Sequence, residues 1–201
     1  MEESSFPRVR FIIQKFFRGK GMGIEILANK GRIICSFQHK RLHEPIFGGG
    51  SLLRESVLKL NKKILDDVKE ITKKLKYTGV AMFEFKQNSR KRYALIEING
   101  RFWGSLPLAL KSGCDFPNLL LRVLFNLPLQ YAKKRKHIIS AYLSMEIPYL
   151  IKCLLWKKTS KDKYLNIIPK KEVIATFIKI LLGKYRIDSP VSYTHLTLPT
   201  N

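Results

Sequence analysis

A chain of 201 residues can bury a sizeable core and corresponds to a single domain, or about one and a half. Lysine and arginine number 38 against 15 acids, a formal charge of +23, but 26 of the 38 are lysines scattered along the chain. That distribution reads as solvated surface rather than a nucleic-acid reading head, and it leaves acidic substrates or partners open. Cys35, Cys114 and Cys153 lie far apart, with neither zinc spacing nor an even-numbered disulfide set, and read as buried thiols of a reducing cytoplasm.

The opening "MEESSFPRVR" lacks the apolar core of a signal peptide, so a cytoplasmic location is expected. The most membrane-like stretch, "HIISAYLSMEIPYLIKCLLW" (137 to 156), is interrupted by Glu146, Pro148 and Lys152 and does not suit a spanning helix. Weak association of the region 137 to 186 with an anionic membrane surface is compatible with its composition.

In chain order, residues 8 to 17, 24 to 29 and 32 to 38 read as strands, with Asn29-Lys30-Gly31 closing a hairpin between the last two. The loop "EPIFGGGS" follows. Gly48, Gly49, Gly50 and Ser51 offer unhindered backbone N–H groups, and Lys40, Arg41 and Arg54 flank them. This suits an anion or a moving lid, although no Gly-Lys-Ser/Thr completes a Walker A pattern. From Ser51, which can cap it, a helical period runs through Val57, Leu60, Ile64, Val68, Ile71 and Leu75, predicting a helix over 51 to 77.

Gly79 then breaks into the strand "VAMFEFK", the polar turn "QNSRKR" and a second strand ending at Asn99. Helices are predicted over 105 to 113 and 116 to 126. From residue 133 the chain reads as a basic, helix-rich extension to about Pro190. The last eleven residues, "VSYTHLTLPTN", look like a translated sequencing adapter and are set aside. The expected organisation is therefore 1–132, 133–190 and a non-native tail 191–201. The fold class is α+β, with a mostly antiparallel sheet packed by helices.

The stretch "YALIEINGRFWGS" alternates, placing Tyr93, Leu95, Glu97 and Asn99 on one strand face and Ala94, Ile96 and Ile98 on a core face. Asn99-Gly100 alone could be an ordinary hairpin turn. If "QNSRKR" closes a hairpin, however, the register in which paired numbers sum to 181 sets Glu84 opposite Glu97 and Met82 opposite Asn99. Carboxylates so close must share a proton or a cation. With Asn99 as a third oxygen donor, the set favours a hard ion such as Mg²⁺. Lys86, on the same face, and Arg101 would then meet a metal-bound anion such as phosphate.

The chain resembles the C-terminal portion of an ATP-grasp domain of the carbamoyl-phosphate synthase and carboxylate–amine ligase kind. The resemblance is carried by Glu97-x-Asn99-x-Arg101 with Glu84 thirteen residues upstream, by "FWGSLPLALKSGCDFP" and by "FQHKRLHEPIFGGGSLLRES". It covers roughly residues 8 to 130.

The resemblance implies that Glu84, Glu97 and Asn99 hold Mg²⁺ (or Mn²⁺) on ATP, with Arg101 at the transferred phosphate; Lys86, on the same strand face, and Arg41, beside the glycine loop, are the further catalytic candidates. It also implies that Gln14, Lys15, Phe16 and Phe17 form a hinge strand against the adenine, with Gly49, Gly50 and Ser51 over the phosphates. Lys15 departs from the pattern, standing where the family usually carries a glutamate. A first lobe should precede the hinge strand, yet only seven residues do, so a chain truncated at its start, and inactive alone, is expected.

The implied activity is ATP-dependent ligation, a small-molecule carboxylate being activated as an acyl phosphate for attack by an amine. The alternative is a non-catalytic remnant that holds an acidic partner through its basic surface.

Overall fold

The computed structural model describes residues 13–157 and 165–188. Its elements are β1 (Lys20–Asn29), β2 (Arg32–His43), β3 (Leu53–Ser56), α1 (Lys62–Lys74), β4 (Gly79–Gln87) and β5 (Tyr93–Asn99). They continue with α2 (Leu106–Ser112), α3 (Phe116–Leu124), β6 (Ile139–Ala141), α4 (Leu143–Leu155), α5 (Lys170–Leu181) and β7 (Arg186–Ile187). The strands form one sheet in the order β5-β4-β1-β2-β3-β6-β7. Among the described residues, only the β6–β7 pair is parallel. This is the α+β, mostly antiparallel architecture expected.

The β1–β2 hairpin turns at Lys30 (φ 48°) and Gly31 (φ 79°), two successive positive-φ residues of the kind whose twist matches that of the flanking strands. β1 is central, so both its faces are covered. Met22, Ile24, Ile26 and Ala28 join Ala81, Phe83 and Phe85 of β4 beneath Ile64 and Val68 of α1. On the other face Leu27, Cys35, Phe37, Val80 and Met82 pack under α2 and α3, around Trp103 and Phe116, whose rings meet edge to face at 5.1 Å. A third cluster joins Ile46 and Leu52 to Tyr149, Leu150 and Cys153 of α4 and Val173 of α5.

Several expectations require correction. Of the strand predicted over 8 to 17, residues 8–12 lie outside the described residues and 13–18 have no regular structure. The helix predicted from Ser51 begins instead at Lys62. Asn61 caps it, its side chain accepting from the Ile64 backbone N–H at 3.3 Å, while Leu53–Ser56 pair with β2 and β6 as β3. Ser51 therefore precedes a strand. Ile96 and Ile98, assigned to a core face, are each 44% exposed because β5 is the sheet edge. The segment after 132 supplies strands β6 and β7 as well as two helices. The tail 191–201 lies outside the described residues. Among the described residues, no helix is long and apolar enough to cross a membrane.

Candidate functional site

In the β4–β5 hairpin Glu84 stands opposite Glu97 and Met82 opposite Asn99. The register then shifts between Glu84 and Phe85, which pairs with Leu95, so Ile96 is the extra residue of a bulge. The bulge changes the face assignments: Ala94, paired with Lys86, shares the side of Glu84 and Glu97. Tyr93 and Leu95 turn to the other side, where the Tyr93 ring meets Phe85 at 5.9 Å.

The face carrying Glu84 is polar across several strands. β1 lies between β4 and β2, and there Gly21 pairs with Lys86 and Gly23 with Glu84. These glycines, with Gly19 before them, strip one side of the strand of side chains. A Cβ on Gly21 would lie 2.6 Å from Arg41 Cδ, and one on Gly23 would lie 2.5 Å from His39 Cε1. The cleared space lets Arg41 of β2 reach over β1 to Glu84, its Nη2 donating to Oε2 at 2.5 Å. Glu44 backs this contact, 3.7 Å from Arg41 Nη1 and accepting from the Gly21 N–H at 3.1 Å.

Below it, Glu25 and His39 are fully buried and bonded to one another through Oε1 and Nδ1. Ser105, at the start of α2, donates to the same Glu25 oxygen at 3.0 Å. Glu25 Oε2 is enclosed with no hydrogen-bond partner among the described residues.

At the sheet edge Asn99 Nδ2 donates to Glu97 Oε1 at 2.7 Å, and both side chains are open to solvent on one side. Arg101 is exposed just past the strand, donating to the Phe102 carbonyl at 3.0 Å. Lys86 Nζ lies 5.7 Å from the Phe16 ring centroid. Gln14, Lys15 and Phe16 are exposed and Phe17 is half-buried. Gly48, Gly49 and Gly50 all have positive φ (88°, 78° and 83°) with no atom near their would-be Cβ positions. They form an open loop between β2 and β3, not the approach to a helix.

Sequence reasoning missed Gly21, Gly23, Glu25, His39, Glu44 and Ser105. The available signal was "GKGMGIE": glycine at 19, 21 and 23, every second residue, marks a strand with one bare face. No group of three or more His, Cys, Asp or Glu side chains is gathered as a metal centre among the described residues. An Mg²⁺ site here depends on Asn99 beside the two acids.

Residues 7–145 match the family described as "ATP-grasp in the biosynthetic pathway with Ter operon". No curated protein matches the sequence. Among solved structures, the chain is similar to phosphoribosylglycinamide synthetase from Anaerococcus prevotii (TM-score 0.50, 14% identity), over 62% of this chain and 35% of that one. It is also similar to pyruvate carboxylase from Rhizobium etli (TM-score 0.50, 12% identity; 60% and 14%). A third is the biotin carboxylase–beta-gamma-ATP complex from Campylobacter jejuni (TM-score 0.48, 20% identity; 63% and 30%). At these identities the likeness of the first two is one of fold alone, and the chain spans roughly a third or less of the length of each of the three proteins.

Proposed function

Because this chain belongs to the ATP-grasp family, we propose that the Glu84 face of its sheet binds Mg-ATP and serves a ligase that joins a carboxylate to an amine through an acyl phosphate. The observation that carries this reading is the pairing of Glu84 with Glu97, with Asn99 bonded to Glu97, on a face where Gly21 and Gly23 leave room for Arg41, Glu44 and His39.

Two opposed carboxylates repel one another unless a cation joins them. Arg41 supplies one countercharge to Glu84, and Glu97 is left facing solvent. The donors are all oxygen once the Asn99 amide turns its carbonyl inward, which suits Mg²⁺ or Mn²⁺. The bound ion would neutralise phosphate charge. Arg41, released from Glu84 when that acid turns to a cation, together with Lys86 and Arg101, offers guanidinium and ammonium donors to the phosphoryl group. Such catalysis is positioning and charge neutralisation, with no side-chain nucleophile. Gln14, Lys15, Phe16 and Phe17 border the face beside Lys86 and are assigned to the adenine, and the open Gly49-Gly50-Ser51 loop to the phosphates.

The formal charge of +23 supports a second reading, a non-catalytic protein that holds an acidic partner. Thermal unfolding separates the two. On the ligase reading ATP raises the midpoint only with Mg²⁺ present, through the stabilisation that linkage sets, roughly 2–3 kcal/mol at a hundredfold excess over Kd. An equal rise in EDTA that fades with salt would reject the metal site and favour a polyanion surface.

A further inference from the structure

Away from the Glu84 face, two cysteines far apart in sequence meet. Cys35 sits near the start of β2, opposite Leu27. Cys114 follows Gly113, whose left-handed backbone (φ 97°) ends α2. Both belong to the same core cluster and line the same cavity, and Arg135 reaches Cys35 Sγ with Nη2 at 4.0 Å.

The rest of the molecule makes this pair unusual. Cys153 is also buried, but its contact is with Tyr149 in the cluster under α4 and α5, with no second thiol. Cys35 and Cys114, by contrast, both line a cavity of about 300 Å³ whose other walls include Asp115, Gln130, Tyr131 and Arg135. Packing alone would be served by a closed apolar contact. A cavity that reaches two sulfurs and a guanidinium gives a small oxidant a route to them.

We propose that Cys35 and Cys114 are a modification site: a hydroperoxide oxidises Cys35, and Cys114 resolves it to an intramolecular disulfide. The environment divides the roles. The Arg135 guanidinium, 4.0 Å from its sulfur, marks Cys35 as the thiolate and leaves Cys114 as the proton-bearing partner. In agreement, the neighbouring Cys114 and then Arg135 lower the Cys35 thiol against the opposing effect of burial, and Cys35 and burial push Cys114 up.

In the first step the Cys35 thiolate attacks the peroxide, the O–O bond breaks, Cys35 becomes the sulfenic acid and hydroxide leaves. In the second, Cys114 sulfur attacks the sulfenic sulfur, the S–O bond breaks, and the Cys114 proton leaves with that oxygen as water. Two thiols lose two electrons in all, and the peroxide gains them. The disulfide would tie the α2–α3 turn to the start of β2.

The full chain, treated with a small excess of hydrogen peroxide and then alkylated and digested, gives the test by mass spectrometry. The expected product is a peptide pair linked 35 to 114, lighter by two hydrogens, with Cys153 still alkylated. In Cys114→Ser, dimedone should trap Cys35 as a sulfenic acid; in Cys35→Ser, Cys114 should stay reduced. Arg135→Gln should slow dimedone capture several-fold in the Cys114→Ser background. Circular dichroism confirms that each variant is folded. Folded wild type in which both thiols stay reduced, or in which Cys35 passes to sulfinic acid while Cys114 is alkylated, overturns the proposal.

Discussion

Arg41 and Glu84 form an ion pair between strands that do not touch: Arg41 is on β2, Glu84 on β4, and β1 runs between them, yet Nη2 and Oε2 are 2.5 Å apart. The bridge exists because β1 carries glycine beneath it. In Gly21→Ala the new Cβ would meet the Glu44 carboxylate and Arg41 Cδ, both on side chains that can yield. In Gly19→Ala it would lie 2.6 Å from the Gln87 carbonyl oxygen, which is backbone and cannot. We therefore expect Gly19→Ala to lose about 1–3 kcal/mol in urea unfolding and Gly21→Ala to lose less. Gly21→Ala should instead weaken Mg-ATP binding by displacing Arg41. Equal stability losses in the two variants would contradict this account.

The Glu25–His39 pair with Ser105 is a buried network whose partners depend on one another. Glu25→Ala leaves His39 Nδ1 and the Ser105 hydroxyl without their acceptor and should cost roughly 3–5 kcal/mol. Replacing both partners, Glu25→Met with His39→Leu, should cost much less than the single change. The pair of denaturation curves checks this, and a double variant as unstable as the single one would argue against it.

Asp188 anchors the far edge of the sheet, accepting from Arg54 Nη2 at 2.8 Å and bonded to Lys111. Burial alone would raise its carboxyl, but Lys111, with Ser140 and Arg54 close by, outweighs burial and holds it below the ordinary range. A depressed folded-state value means that the stabilisation is present above the unfolded carboxylate's pKa and is lost as pH falls through the folded one. Asp188→Asn should therefore be less stable than wild type at neutral pH. The gap should close as acid titrates wild type through that window. A gap independent of pH would show that the ion pairs contribute nothing.

The α1 boundary offers a sharp comparison. Asn61→Ala should cost about 1 kcal/mol through loss of the cap, whereas Ser51→Ala, before a strand, should cost no capping energy. Urea midpoints that reverse this order would restore the longer helix.

That boundary also shows where sequence signals end. Val57 and Leu60 continue the period of Ile64 and Val68 by coincidence, and "LRES" has few residues that favour a strand. β3 is a strand because β2 and β6 flank it, which is a long-range fact. The opposition of Glu84 and Glu97 was legible as an outcome but not from the turn: beside the turn the paired numbers sum to 180 (Lys86 with Ala94, Phe85 with Leu95), which would separate the acids, and only the bulge moves the pairing to 181. The bulge at Ile96 was not legible, since an extra residue leaves no compositional mark, and so the faces of Tyr93 and Leu95 were misassigned. Glu25, His39 and Ser105 were also hidden. They come from three separate segments, and only sheet order and the placing of α2 bring them together.

The central claim is that Glu84, Glu97 and Asn99 hold a metal-bound nucleotide, and calorimetric titration of ATP into the 201-residue chain with and without Mg²⁺ tests it most directly. The account predicts Mg²⁺-dependent binding by wild type and at least a tenfold loss, about 1.4 kcal/mol or more, in Glu97→Ala, with the folded state intact. Affinity for Mg-ATP unchanged by Glu97→Ala would contradict it.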